Sequence, residues 1–262
     1  MPTSSYTSDS TSVISGTLYL LPVGLSDTAP SDVIPQANID IMRGLRHFVV
    51  ENVRTARRWI RRCDPSFSFD GVEFMELNIR TSAAEIGRML EPLRNGYSVG
   101  VMSEAGCPAV ADPGADIVAA AQRQGFRVVP LVGPSSILMG LMGSGFNGQS
   151  FCFHGYLPID DREKRERLRR LERESEKENR TQIFIETPYR NEKLLAMMTE
   201  VLLPDTKICV AFDITGTEES IVTLSVRDWK RAKPQYSKKP AIFLLYRTSG
   251  RGDGLLYSKD RK

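Results

Sequence analysis

The sequence predicts a protein of two α/β domains, and three observations carry that expectation. The chain has 262 residues, 41% hydrophobic and 26% charged, enough to bury one large core or two smaller ones. Its first half repeats a rhythm of short apolar strand, loop, helix and strand, the pattern of a parallel sheet covered by helices. Residues 143–148 then bring three glycines and an asparagine between two apolar stretches, which sets the expected boundary. The division is a leader over 1–15, an N-terminal α/β domain over 16–147, a C-terminal α/β domain over 148–247 and a polar tail over 248–262.

Residues 17–23 (TLYLLPV) read as a buried strand, closed by Pro22 and Gly24. A short helix over 39–45 and a strand over 47–51 (HFVVE) follow, then a basic helix over 54–62 that Asp64 and Pro65 end. Residues 74–77 suit a strand. Residues 82–93 place Ile86, Met89, Leu90 and Leu93 at helical spacing before Asn95 and Gly96 stop the run. A strand over 97–102, a helix over 115–124 closed by Gly125 and a strand over 126–131 complete the first half. In the second half we expect strands at 151–157, 182–186, 207–212 and 241–246, a highly charged helix over 160–179, and some antiparallel pairing near the end. There is no internal repeat.

Charge and cysteine usage exclude several classes. Thirty-five basic and 32 acidic residues leave a formal charge of only +3, so any RNA binding must come from local patches. Cys63, Cys107, Cys152 and Cys209 lie more than 40 residues apart, without metal-ligand spacing, which fits a reducing cytoplasmic compartment and no metal centre. The Ser/Thr-rich residues 1–15 lack the basic and apolar regions of a signal peptide. No apolar run approaches membrane-spanning length. The tripeptide Arg251-Gly252-Asp253 is read as chance.

The strongest local signal is Ser103-Glu104-Ala105-Gly106-Cys107-Pro108, continued by Ala109-Val110-Ala111-Asp112-Pro113-Gly114. Small residues directly after a buried strand let backbone approach a ligand closely, and Glu104 offers an acceptor. For Asp112 a helix-capping role is the favoured reading. A second loop, Val132-Gly133-Pro134-Ser135-Ser136, follows the next strand on the same sheet edge. No GxGxxG follows the first strand and no GxxxxGK[ST] occurs, so neither a dinucleotide fingerprint nor a Walker loop explains these loops.

In order and spacing, LYLLPVG, VVENVR, SEAGCPAVADPG, RVVPLVGPSS, FCFHGYLP and IFIETPYR resemble the tetrapyrrole methylase superfamily, the class III S-adenosylmethionine-dependent methyltransferases. The resemblance spans roughly residues 16–246 and is strongest to a branch that methylates a cytidine ribose 2′-hydroxyl of small-subunit ribosomal RNA. It implies two α/β domains of the tetrapyrrole methylase type, a cofactor cleft between them, S-adenosyl-L-methionine as cofactor, an RNA partner and a homodimer. It also implies that Pro22, Ser103, Glu104, Ala105, Gly106, Cys107, Pro108, Ser135 and Ser136 line the cofactor from the first domain, and that Glu186, Phe212, Pro240, Ala241 and Ile242 close over it from the second.

The chain departs from that branch in places. Glu51-Asn52-Val53-Arg54 stands where Glu-Asp-Thr-Arg is usual, and Ser103-Glu104-Ala105-Gly106 where Ser-Asp-Ala-Gly is usual. Phe212-Asp213-Ile214-Thr215-Gly216 replaces Arg-Glu-Leu-Thr-Lys, with the loss of two positive charges, and Lys239-Pro240-Ala241 replaces Lys-Gly-Glu. The alternatives are therefore a methyltransferase of a small molecule such as a tetrapyrrole, or a non-catalytic S-adenosylmethionine-binding protein.

A ribose hydroxyl is a poor nucleophile, so a base or an alkoxide-stabilising cation is expected, and Glu51 and Arg54 are the candidates. A purely structural ion pair between them is the competing reading. His47 and His154, in apolar strands without a partnering acid at recognisable spacing, read as packing residues. Arg54, Arg57, Arg58, Arg61 and Arg62 recur at helical spacing with no acid among them, which favours RNA phosphates over a plain solvated face. The charged helix over 160–179 reads as solvated and internally paired, covering one edge.

Overall fold

The computed structural model describes residues 16–232, 236 and 238–248. The expected leader over 1–15 and nearly all of the expected tail, with Arg251-Gly252-Asp253, lie outside the described residues. The chain divides into two compact units. Among the described residues, one comprises 16–23 and Ile34–Gly133; the other comprises Gly24–Val33 and those from Pro134 onward.

The first unit is a five-stranded sheet of β1 (Thr17–Leu20), β2 (His47–Val50), β3 (Glu73–Glu76), β4 (Val99–Met102) and β5 (Arg127–Pro130). The strands pair in the order β3-β2-β4-β1-β5 and every pairing is parallel. β4 is buried along its whole length, as a central parallel strand covered on both faces must be. The first helix, α1 (Pro30–Val33), belongs to the other unit. Those of the first unit are α2 (Gln36–Gly44), α3 (Val53–Cys63), α4 (Ala83–Met89), α5 (Glu91–Arg94) and α6 (Gly114–Arg123). The helix expected over 82–93 is split. A capping box between Ser82 and Glu85 starts α4, and Pro92, which lacks an amide hydrogen and crowds the carbonyl four residues back, forces a new turn after Leu90. Ile86, Met89, Leu90, Leu93, Ile117 and Ala121 pack with Leu18, Val49, Val99 and Val101 into this unit's core.

The second unit adds α7 (Ser136–Ser144), β6 (Phe151–Tyr156), α8 (Asp161–Glu178), β7 (Thr181–Glu186), α9 (Asn191–Val201), β8 (Lys207–Phe212), β9 (Ser220–Ser225), α10 (Val226–Ala232) and β10 (Ala241–Tyr246). Its sheet runs β6-β7-β10-β8-β9, with β6 parallel to β7 and the other pairings antiparallel. All six residues of β10 are buried. Phe243 and Leu245 face a core shared with α8, α9 and α10. Ile242 and Leu244 face the opposite core, shared with Leu141 of α7.

α7 occupies part of the segment expected to lie in the first domain. Gly140 and Gly143 are packing residues there: a Cβ on Gly140 would meet Ile242 Cγ2 at 2.6 Å, and one on Gly143 would meet Ile221 Cδ1 at 2.7 Å. α8 covers a sheet face as well as carrying internal pairs. It buries Lys164, Leu168, Leu171, Glu172 and Ser175, while Arg162 pairs with Glu166 and Arg170 with Glu174 on its outer side.

Candidate active site

The strand order of the first sheet sets its functional edge. Because β4 lies between β2 and β1, the loop leaving β4 emerges between the ends of those strands, with the β5 loop on the far side of β1. In a parallel sheet this carboxyl edge is where ligands bind. Glu51, directly after β2, accepts a hydrogen bond from the Glu104 amide at 3.0 Å. Val23, after β1, donates its amide to the Gly106 carbonyl at 2.9 Å. A Cβ on Gly133, after β5, would sit 2.2 Å from Pro22 Cβ. Pro22, Glu51, the 103–108 loop and Gly133 are thus brought together within the first unit.

Glycine is required at two of these points for different reasons. Gly106 is buried at φ 72°, the left-handed region that side chains avoid. Gly133 leaves no room for a methyl group, so Gly133→Ala is expected to displace the loop from Pro22 and lower stability by roughly 1–3 kcal/mol, read by denaturant unfolding.

Asp112 organises the rest of the loop. Its Oδ1 accepts the amides of Ala109 at 3.0 Å and Gly114 at 2.6 Å, and it holds a turn in which Ala109 and Ala111 both have positive φ, 67° and 63°. Ser103 Oγ donates to the Ala105 carbonyl at 3.2 Å. Burial raises the Cys107 thiol above its ordinary pKa, which favours its protonated form. Pro108 is buried and Glu104 exposed.

Three carboxylates share this edge. The Glu51 pKa is raised, first by burial and then by the charges of Asp112 and Glu104, against the lowering effect of the Glu104 amide. That of Asp112 is raised by burial, opposed by the amides of Gly114, Ala109 and Val110. An acidic cluster beside small residues suits a ligand carrying positive charge.

Arg54 is exposed on the first turn of α3, and no ion pair joins it to Glu51 among the described residues. Asn52 caps α3 by accepting from the Thr55 amide at 3.1 Å. Asparagine caps as well as aspartate does, so this departure from the branch's pattern preserves the helix start. The five arginines of α3 span an arc of roughly 140° at about 100° per residue, opposite the buried Ala56 and Ile60. Arg57 lies over the Phe69 ring at 4.4 Å and Arg61 over the same ring at 5.1 Å, while Arg62 lies over Trp59 at 5.6 Å.

The second unit treats its expected residues differently. Ser135 caps α7, accepting from the Leu138 amide at 3.5 Å, and Ser136 begins that helix. The Pro240 carbonyl accepts the Asp213 amide at 2.9 Å, and Ala241 is paired with Glu186 and Phe212 in the sheet. Ile242 is buried in one core, and Phe212 is buried in the other against Tyr236, with ring centroids 4.7 Å apart.

Glu186 is the hub of an ion-pair network. Lys164 Nζ reaches it at 2.9 Å, the two side chains being 5% and 2% exposed, and Arg190 approaches at 2.8 Å. Burial opposes its charged form, but the Lys164 hydrogen bond, the Thr187 amide and the nearby cations hold its pKa below the ordinary value. Lys164→Met is expected to cost about 1.5–3 kcal/mol, since Arg190 still partners the stranded carboxylate. Because the folded-state pKa is depressed, the stability Glu186 contributes is present above the ordinary carboxylate range and lost as pH falls through the folded value. The difference between wild type and Lys164→Met should therefore narrow in acid, as denaturant unfolding at several pH values would read.

The segment 212–216 closes on itself. Lys239 Nζ reaches Asp213 Oδ2 at 2.6 Å and Glu218 at 3.0 Å. The Thr215 carbonyl accepts from Thr28 Oγ1, and Ser26 Oγ lies 2.9 Å from Thr215 Oγ1, which ties Gly24–Val33 into the second unit. Both histidines have partners that sequence spacing did not reveal. His47 Nδ1 lies 3.1 Å from Glu73 Oε2 across the β2–β3 pair, at the amino end of β2, opposite the functional edge. His154 lies 2.6 Å from Gln182 Oε1 and 3.1 Å from an Arg167 nitrogen, and its pKa is lowered, chiefly by burial. Among the described residues no group of three or more His, Cys, Asp or Glu could hold a metal ion, and no helix is long and apolar enough to cross a membrane.

The family model for tetrapyrrole (corrin/porphyrin) methylases matches residues 31–229. The chain belongs to this family. It is an S-adenosylmethionine-dependent methyltransferase, as the sequence resemblance implies. The tetrapyrrole methylase chain is similar to proteins named ribosomal RNA small subunit methyltransferase I. It is 30% identical to that of Pseudomonas aeruginosa over 237 residues, covering 88% of this chain and 78% of the relative. It is 26% identical to that of Vibrio cholerae over 238 residues, covering 89% and 78%. Solved methyltransferase structures share its fold. A cobalt precorrin-4 methyltransferase matches at TM-score 0.55 and 19% identity over 88% of this chain and 94% of its own. The methyltransferase CobJ matches at TM-score 0.57 and 18% identity, with the same coverage.

Proposed function

We propose that this tetrapyrrole methylase transfers the methyl group of S-adenosylmethionine to a ribose 2′-hydroxyl of small-subunit ribosomal RNA. The observation that carries the proposal is the gathering of Glu51, Glu104 and Asp112 around a loop of small residues at the carboxyl edge of the first sheet. Mutually repelling carboxylates are relieved by a cationic ligand, and the names of the sequence relatives favour RNA as acceptor.

Bound there, S-adenosylmethionine supplies an electrophilic methyl group on a positively charged sulfur. Ser103, Glu104, Ala105, Gly106, Cys107 and Pro108 present backbone and small side chains to it, with Pro22 and Gly133 fixing the neighbouring loops. Within the second unit, Ser135 and Ser136 start α7, while Glu186, Phe212, Pro240, Ala241 and Ile242 order that unit's sheet. Glu51, its carboxylate made more basic by burial and neighbouring charge, accepts the hydroxyl proton, and Arg54 favours the developing alkoxide. Most of the remaining rate comes from holding acceptor and donor in line. A homodimer and a cytoplasmic location accompany this reading. The exposed Leu138 and Met142, one turn apart on α7, fit a self-association surface that sedimentation would detect.

The test is transfer of labelled methyl groups to small ribosomal subunits from cells lacking this chain, followed by nucleoside analysis. A labelled 2′-O-methylnucleoside is the expected product. Labelling of a tetrapyrrole with none of the RNA would establish the small-molecule reading, and binding of S-adenosylmethionine without turnover on either would establish a non-catalytic role.

A further inference from the structure

We propose that the arginine face of α3 is a docking surface for the phosphate backbone of single-stranded RNA, leading away from Glu51. The inference rests on RNA being the acceptor and adds the surface that holds it. α3 begins two residues after Glu51 and, at 1.5 Å per residue, extends about 16 Å, so an RNA strand with one nucleotide at Glu51 can follow it.

The absence of acids sets α3 apart from α8, where glutamates and an aspartate are interleaved with the basic residues. On α8, Arg162, Arg165 and Arg170 are paired with Glu166, Glu200 and Glu174. Arg54, Arg57, Arg58 and Arg61 have no ion-pair partner among the described residues, and three acids flanking α3 are held by groups other than these arginines. Asp64 takes Arg43 and Ser66, Glu73 takes His47, and Glu76 accepts the Val53 amide at 3.3 Å. The Phe69 face orders Arg57 and Arg61 without neutralising them, because a ring holds a guanidinium by its quadrupole and leaves the charge and the N–H donors available. Arg61 is fixed further by its bond to the Pro65 carbonyl at 2.9 Å. Like charges at i and i+4, as in Arg54 with Arg58 and Arg57 with Arg61, repel one another, and a polyanion lying along the helix relieves that repulsion.

An anionic membrane is the competing occupant of a basic helix, but binding to lipid needs apolar side chains to insert beside the charges. None of the exposed large hydrophobic residues belongs to α3. Phe69 is only partly exposed, with two guanidiniums over its ring.

The experiment measures binding of a fluorescein-labelled, mixed-sequence single-stranded RNA of about twenty nucleotides across a salt series, with S-adenosylmethionine affinity measured separately by calorimetry. In the triple variant Arg57→Gln, Arg58→Gln and Arg61→Gln, RNA affinity should fall at least about tenfold for all sequences alike. The slope of log affinity against log salt should shrink by about 2, the loss of three phosphate contacts. Phe69→Leu keeps every charge and should weaken binding a few-fold with little change in slope. An unchanged slope in the triple variant would overturn the proposal, as would loss of binding to phosphatidylglycerol vesicles with RNA binding intact. The two readings fail separately: a protein that binds RNA through α3 but no S-adenosylmethionine would keep this surface and overturn the assigned reaction.

Discussion

Replacing Gly106 with Val is expected to lower affinity for S-adenosylmethionine on the order of a hundredfold, equivalent to about 2.7 kcal/mol. The backbone at Gly106 has φ 72° and its carbonyl receives the Val23 amide. A β-branched residue is a steric outlier at that angle, so the chain must either bear the strain or rotate the peptide and break the tie between the ends of β1 and β4. Rotation moves the backbone of the 103–108 loop from where it would meet the cofactor, and the new side chain adds bulk there. Gly106→Ala, which pays only the left-handed penalty of roughly 1–2 kcal/mol, should show an intermediate loss. Calorimetry on both variants, with circular dichroism to establish folding, checks the order. Affinity unchanged in a folded Val variant would remove this loop from the cofactor site.

Glu51→Gln is expected to slow single-turnover methyl transfer roughly a hundredfold while leaving cofactor affinity nearly unchanged. Glutamine keeps an oxygen to accept the Glu104 amide, so the loop stays anchored and only the capacity to take a proton is lost. The wild-type rate should fall as pH drops through the raised pKa of Glu51, whereas the variant's rate should not follow that titration. Stability should move the opposite way to activity. A carboxyl whose folded pKa is raised contributes most below its unfolded value, and that contribution is lost as pH rises through the folded value. At neutral pH the variant, freed of a half-buried charge beside Asp112 and Glu104, should therefore be the more stable protein, with the difference vanishing in acid. A variant that transfers methyl at the wild-type rate per bound cofactor would make Glu51 structural.

Much of the first unit was legible because its strands are short apolar runs cut off by glycine or proline, and its helices carry apolar residues at helical spacing. The small-residue loop after β4 was legible for the same reason: close backbone approach leaves a compositional mark. What adjacency cannot reveal is which strand ends become neighbours, so the bond from the Glu104 amide to Glu51, 53 residues away in sequence, needed the strand order. The boundary expected at 143–148 rests on glycines whose composition resembles a linker; in the structure Gly140 and Gly143 let α7 pack against β10 and β9, and Gly145 ends the helix at φ 72°. α9 carries Leu194, Leu195 and Met198 on its buried face and was readable in principle but not identified. β9 is an edge strand with no fully buried residue, so its sequence lacks the marks of a core strand. For Glu186 and Phe212 the family pattern gave positions, while their surroundings could be seen only in three dimensions: an ion-pair network around one, an aromatic core around the other.

A comparison of ribosomal RNA modification maps from cells with and without this chain decides whether its acceptor is a ribose of small-subunit ribosomal RNA. A single 2′-O-methyl position should disappear without the chain, return with the wild-type protein and not return with Glu51→Gln. Identical maps in the presence and absence of the chain would contradict that acceptor.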